Sequence, residues 1–157
     1  MIKIINLENL DAALKRVKTR GKLVLVGGCF DILHRGHIEF LRRAKKQGDI
    51  LFVMLENDES VRARKGKNKP VNSQEDRAIL LSAIPDVDIV LLLPYLKTDL
   101  EYYDLVKLIE PDIIAMTEND PAYNKKSEQA KIVGGKAVIV IKRLPEHSSK
   151  KLARKIK

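Results

Sequence analysis

Five short, almost continuously apolar runs limit what this chain can fold into. They lie at residues 22–26, 50–55, 88–93, 112–116 and 137–141. Alternating polar and apolar residues would mark strands with one wet face. Continuous apolar runs mark strands covered on both faces, which is the habit of parallel sheets. Segments with helical spacing lie between the runs. Leu7, Leu10, Leu14 and Val17 form one apolar stripe, and Gly21 ends that helix. Residues 37–47 form a second helix closed by Gly48. Asn72 or Ser73 caps a third, which runs to about Ile84. Residues 99–109 form a fourth, broken before Pro111, and residues 121–133 a fifth, ended by Gly134 and Gly135. A basic helix follows from Ser148. Residues 56–69 read as a polar, basic loop with at most a short helical turn. The expectation is a single doubly wound, Rossmann-like α/β domain around a five-stranded parallel sheet, with residues 1–20 as an N-terminal helical extension.

A length of 157 residues suits one domain, and no repeat, low-complexity segment or interdomain linker interrupts it. No apolar run is long enough to span a bilayer, and the N-terminus lacks a signal-peptide pattern. The single cysteine, Cys29, excludes an internal disulfide and a cysteine-rich metal site, so a reducing cytoplasm is the expected setting. The net charge of +9 points to an anionic partner: nucleic acid, a membrane surface or phosphorylated small molecules. Much of that charge lies at residues 62–69 and 150–157. With aromatic residues at 4%, base stacking on single-stranded nucleic acid has little to work with.

The chemistry concentrates at residues 27–37, between the first strand and the second helix. Gly27 and Gly28 stand where the strand stops, and His34 and His37 flank Gly36 where the helix starts. A helix N-terminus offers unpaired N–H groups and a positive dipole end, both suited to phosphate. Histidines three apart at that end share a side, and neutral imidazoles there donate to phosphate oxygens. Gly36 leaves room between them, and Gly28 lets the backbone approach a ligand. Cys29 reads as an inert buried thiol and Phe30 as a packing residue. Asp31 is expected to order the turn by accepting backbone N–H bonds. The turn leaves the carboxyl end of a strand, which is where ligands of such sheets bind.

Residues 28–37 resemble the signature of the HxGH nucleotidylyltransferases, the cytidylyltransferase-like superfamily. The resemblance extends further. Lys65-Gly66, then Lys69-Pro70-Val71-Asn72, Glu75-Asp76-Arg77 and Val87-Asp88 are similar to the heptose-phosphate adenylyltransferase branch. Arg143 with Ser148-Ser149 resembles the phosphate motif of glycerol-3-phosphate cytidylyltransferases, with Lys150 in place of a threonine. Residues 116–120 lack the glycine usual early in that segment. The resemblance implies that His34 and His37 stabilise the α-phosphate and the pyrophosphate leaving group. It implies that Lys65 folds over the phosphates, with Lys67 as second choice. Gly28, Cys29, Phe30, Gly36, Arg143, Ser148 and Ser149 are expected at the nucleotide, although Ser148 and Ser149 would equally cap the last helix. Asp31, Lys67, Arg77 and Asp120 are expected nearer the acceptor or in supporting positions. Arg77 has two readings, a pair with an acidic neighbour or a contact to the acceptor's phosphate.

The expected reaction is attack by an acceptor phosphate on the α-phosphorus of ATP or CTP, with pyrophosphate leaving. No covalent nucleophile is called for, so positioning and charge neutralisation carry the catalysis. No resident metal is expected, because Mg²⁺ rides in with the nucleoside triphosphate. A heptose 1-phosphate-like sugar with ATP is the first choice of substrates. Glycerol 3-phosphate with CTP is second, and flavin mononucleotide with ATP third. Rival readings are a basic nucleic-acid-binding module and a nucleotide sensor without turnover. A homodimer is possible, because the stripe from Leu7 to Val17 can cover either the chain's own sheet or a partner.

Overall fold

The structure, a computed structural model, describes residues 3–142 and residue 154. Six parallel strands form one sheet: β1 (Ile4–Ile5), β2 (Leu23–Gly28), β3 (Ile50–Leu55), β4 (Ile89–Leu92), β5 (Ile113–Thr117) and β6 (Lys136–Ile141). Their spatial order is β1-β4-β3-β2-β5-β6. The helices are α1 (Leu10–Lys18), α2 (Arg35–Lys45), α3 (Asp58–Lys65), α4 (Gln74–Ser82), α5 (Asp99–Ile109) and α6 (Tyr123–Ile132). Five of the strands are those read from the sequence. The sixth is a two-residue edge, Ile4 beside Val90 and Ile5 beside Leu91. Two residues are too few to show a period.

The continuous apolar runs are explained by two cores, one on each face of the sheet. Leu23, Leu25, Ile50 and Phe52 point to the face covered by α1 and α5. Val24, Val26, Leu51 and Val53 point to the face covered by α2 and α4. Successive side chains on a strand alternate faces, so a strand buried on both sides has no polar position. Leu10, Ala13, Leu14 and Val17 are all buried in the first of these cores. The N-terminal stripe therefore packs on the chain's own sheet. Leu7 is left out of the helix in a short 3₁₀ turn and is exposed.

Three aspartates pin the amino ends of the strands. Asp49 accepts from Lys22 N–H, Asp112 from Leu23 N–H, and Asp88 from Leu51 N–H, all within 2.8 Å. Lys45 also donates to Asp88, at 2.5 Å. These carboxylates satisfy strand N–H groups that have no ladder partner. The opposite, carboxyl ends are thereby left for ligands.

The chain reverses direction across the sheet between β2 and β5. From β2 it steps to β3 and β4 on one side, then returns to place β5 and β6 on the other. Loops after β2 and β5 therefore diverge and leave a crevice between them. That is the topological switch point, where open α/β sheets bind ligands.

Candidate active site

The crevice is a cleft of about 720 Å³ at the carboxyl ends of β2, β5 and β6. Its floor is the turn from Gly27 to Gly36, and its walls come from the end of α3 and from residues 117–126. Gly28, Cys29, Phe30, Asp31, His34, Gly36 and His37 all line it, as the sequence reading requires. Gly27 would tolerate a side chain, since an added Cβ meets nothing closer than 3.9 Å. Gly28 is tighter, since its Cβ would stand 3.0 Å from the Phe30 ring, which would have to give by a few tenths of an ångström.

Phe30 does more than pack. Its φ is +48°, a left-handed conformation that costs a bulky residue about 1–2 kcal/mol. The ring is buried and meets His37 edge-on, with centroids 5.3 Å apart. His34 stacks on His37 at 3.8 Å with 25° between planes. The strained turn thus sets His37 against two rings.

His34 is the N-cap of α2, and the Gly36 N–H donates to its Nδ1 at 3.1 Å. An Nδ1 that accepts carries no proton, so the neutral ring carries its proton on Nε2. Capping a helix and fixing a tautomer are here one contact. His37 is held neutral, its pKa lowered to about 4. Burial is the first cause, followed by the charges of His34 and Lys65. The Nδ1 of His37 is buried without a hydrogen-bond partner. Such a group is destabilising by about 1–3 kcal/mol.

The lowered pKa has a consequence for stability. An unfolded histidine takes its proton near 6.5, whereas His37 in the fold resists to about 4. As pH falls from 6.5 towards 4, the unfolded chain binds a proton that the folded chain refuses. Stability is full above pH 6.5 and is expected to fall by roughly 2 kcal/mol between pH 7 and pH 5. Urea denaturation at both pH values, on the parent and on His37→Ala, checks this. A parental loss equal to that of the variant would contradict it.

The basic segment is better ordered than the sequence suggests. Residues 58–65 form α3, because the Asn57 side chain caps it by accepting from Glu59 and Ser60 N–H. Asn at the cap with Asp58 and Glu59 in the first turn is a helix-start signal that the basic run obscured. The end of α3 delivers Lys65 to the cleft, together with Arg64, and Lys69 follows from the loop. Lys67 does not line the cleft. Gly66, at φ +104°, turns the chain out of the helix.

Asp31 acts on this loop rather than on its own turn. Its two carboxylate oxygens accept from Val71 N–H at 2.8 Å and Asn72 N–H at 2.9 Å. Asn72 returns a bond to the Asp31 carbonyl at 2.8 Å. The loop carrying Lys69 is thus clipped to the glycine–histidine turn. Arg77 supports the same frame from beneath and touches neither the cleft nor an acidic neighbour on its own helix. It is fully buried. Its guanidinium donates to the Cys29 carbonyl at 2.7 Å, the Asn72 carbonyl at 3.1 Å and Asp58 at 2.6 Å. Both sequence readings of Arg77 are corrected by this geometry. Cys29 is buried, and burial pushes its thiol up, against the pull of Lys65 and Arg77. It is therefore a poor nucleophile.

Across the cleft, Asp120 caps the approach to α6 by accepting from Ala122 N–H at 2.8 Å and pairs with Lys126 at 2.6 Å. Thr117, Asn119, Lys126 and Lys142 share that wall. Asn119 takes a left-handed φ of +59°, which asparagine tolerates. Sequence reasoning missed Lys126 and Lys142, and it noted Arg64 and Lys69 only as part of the basic segment and Thr117 and Asn119 only as part of residues 116–120, because nothing local connects them to residues 27–37. Arg143, Ser148 and Ser149 lie outside the described residues. Among the described residues no group of three His, Cys, Asp or Glu side chains is placed to hold a metal. Nor is any helix among them long and apolar enough to cross a membrane.

Comparison with known proteins follows the same lines. Residues 25–155 match the model of the cytidylyltransferase-like family. A bifunctional protein HldE from Helicobacter hepaticus is 37% identical over 157 residues, covering 98% of this chain and 30% of its own length. HldE proteins from Campylobacter fetus and Wolinella succinogenes are 48% and 42% identical over 113 residues, which is 71% of this chain and 23% of each relative. The chain spans under a third of the length of these relatives. Among solved structures, the lipopolysaccharide core biosynthesis protein from Thermoplasma volcanium is 29% identical with a TM-score of 0.59, covering 78% of this chain and 97% of that one. Pantoate-beta-alanine ligase from Francisella tularensis superposes with a TM-score of 0.70 at 15% identity, covering 98% of this chain and 73% of that one, a likeness of fold alone. With the family's region beginning inside β2 and running through the histidine turn and both walls of the cleft, the chain belongs to the cytidylyltransferase-like family.

Proposed function

We propose that this chain transfers an adenylyl group from ATP to a phosphorylated sugar of the heptose 1-phosphate kind, releasing pyrophosphate. The observation that carries the reading is the His34–His37 stack at the start of α2, flanked by cations from α3 and the following loop. A phosphate oxygen of the acceptor attacks the α-phosphorus in line. The new P–O bond forms as the bond to the β-phosphate breaks, and pyrophosphate leaves with the electron pair. Negative charge grows on the α-phosphate oxygens and on the leaving group. The His34 Nε2–H, the neutral His37 ring and the N–H groups opening α2 meet the first. Lys65 and Lys69 meet the second. Magnesium enters as part of the substrate, bound to the triphosphate. Asp31 accepts two backbone N–H bonds, and Asp120 accepts from Ala122 N–H and pairs with Lys126.

The sugar-phosphate acceptor is supported by the resemblance at residues 65–77 and by the HldE relatives. The test crosses ATP and CTP, each with Mg²⁺, against heptose 1-phosphate, glycerol 3-phosphate and flavin mononucleotide, scored by pyrophosphate release. ATP with the sugar phosphate is expected to give kcat/KM at least tenfold above every other pair, a difference of about 1.4 kcal/mol in barrier. Faster turnover of CTP with glycerol 3-phosphate, or none with any pair, would overturn the reading.

A further inference from the structure

Glu56 is a buried carboxylate that the mechanism above leaves unused. It sits one residue past β3, and its N–H donates to the Gly28 carbonyl at 3.0 Å, so its backbone is part of the phosphate turn. Its side chain is almost wholly removed from water. The Tyr102 hydroxyl, from α5, lies 3.1 and 2.9 Å from its two oxygens. Burial and the adjacent carboxylate both keep that phenol protonated far above its ordinary range, so Tyr102 stays a donor. Among the described residues the Arg64 guanidinium also pairs with Glu56, 3.5 Å away.

Burying a carboxylate is costly, and a surface arginine needs no buried acid to be stable at a helix end. Arg64 is more than half exposed and lines the cleft, and its Nε donates to the Ser60 carbonyl at 3.4 Å. Its charge bears on Cys29, within the turn that would grip phosphate. A guanidinium has five N–H donors in a rigid fork. Contacts to Glu56 and Ser60 bias the direction of that fork and leave donors over for a ligand. Lys65, one residue on, is a flexible point charge, whereas Arg64 is a cation aimed from behind.

We propose that Arg64 contacts the phosphate chain of the bound nucleotide and that Glu56 and Tyr102 are positioning residues that set its direction. The proposal rests on the nucleotide-binding reading of this cleft. It gives α5, on the opposite face of the sheet from α2, a part in substrate affinity. It also separates two cationic roles in α3: Arg64 holds the phosphates in the ground state, and Lys65 follows the moving charge.

The test is titration calorimetry with MgATP and no acceptor, at fixed salt, with thermal unfolding measured on every variant. Arg64→Ala is expected to weaken MgATP binding about tenfold, the usual loss for a hydrogen bond to a charged group. Arg64→Lys is expected to restore part of the loss. Glu56→Gln and Tyr102→Phe are each expected to weaken binding about threefold, and neither to weaken it further once Arg64 is alanine. That non-additivity separates positioning from a general structural effect. Binding by Arg64→Ala within twofold of the parent would overturn the proposal. So would a Glu56→Gln effect of equal size with and without Arg64. Failure of the parent to bind MgATP would instead remove the nucleotide-binding reading itself.

Discussion

His37→Ala is expected to lower kcat for pyrophosphate release by 10²- to 10³-fold while weakening MgATP binding only a few-fold. The size follows from the loss of one preorganised donor at a developing oxyanion, about 2.7–4 kcal/mol of transition-state stabilisation. The split between turnover and binding follows from where the charge grows. On the proposed reading the ground-state triphosphate would also be held by the start of α2 and by the cations of α3, so one ring would be a minor share. On the same reading the α-phosphate oxygens of the transition state would meet the histidine pair, which the Phe30 ring and the cap at Gly36 hold in place. A ring already neutral at pH 7 needs no proton loss before it acts, since its pKa is about 4. The same variant removes an unpartnered buried nitrogen, so its thermal stability is expected to hold within about 1 kcal/mol of the parent. Steady-state kinetics beside calorimetry checks the split. A kcat within threefold of the parent would remove His37 from the chemistry.

Arg77→Met is expected to destabilise the fold by about 3 kcal/mol, the low end for breaking a buried ion pair. For a chain of this size the melting temperature then falls by roughly 6–12 °C. Methionine fills much of the same volume, so the loss is of hydrogen bonds rather than of packing. The carbonyls of Cys29 and Asn72 lose their donor, and Asp58 loses its partner. Asp58 is about a third exposed and recovers some solvation, which keeps the figure from the top of the range. Turnover is expected to fall as well, because Cys29 and Asn72 belong to the two segments that Asp31 joins. Scanning calorimetry decides the matter. A melting temperature within 2 °C of the parent would show that the three contacts are replaceable.

Arg77 also marks the boundary of what local reading supplies. Three residues earlier in α4, Gln74 donates to the Leu55 and Leu93 carbonyls and closes the ends of β3 and β4. From sequence both look like polar residues in the first turns of an amphipathic helix. Their partners lie between 5 and 48 residues away, so only the folded chain reveals that they face inward. The α3 helix was obscured for a different reason. Its cap and acidic first turn are local, but a dense basic run reads as solvated loop, and helix propensity is a weak guide over eight residues.

The amino-acid order alone determined the layers, the parallel strands and the place of the glycine–histidine turn. Apolar periodicity is a local quantity, and a glycine–histidine turn between strand and helix carries its own geometry. Tertiary structure decided which cations reach the cleft, which are struts, and why His37 is neutral. Those outcomes depend on burial and on partners from distant strands. Desolvation in particular is set by everything packed around a ring, and no window of sequence contains it.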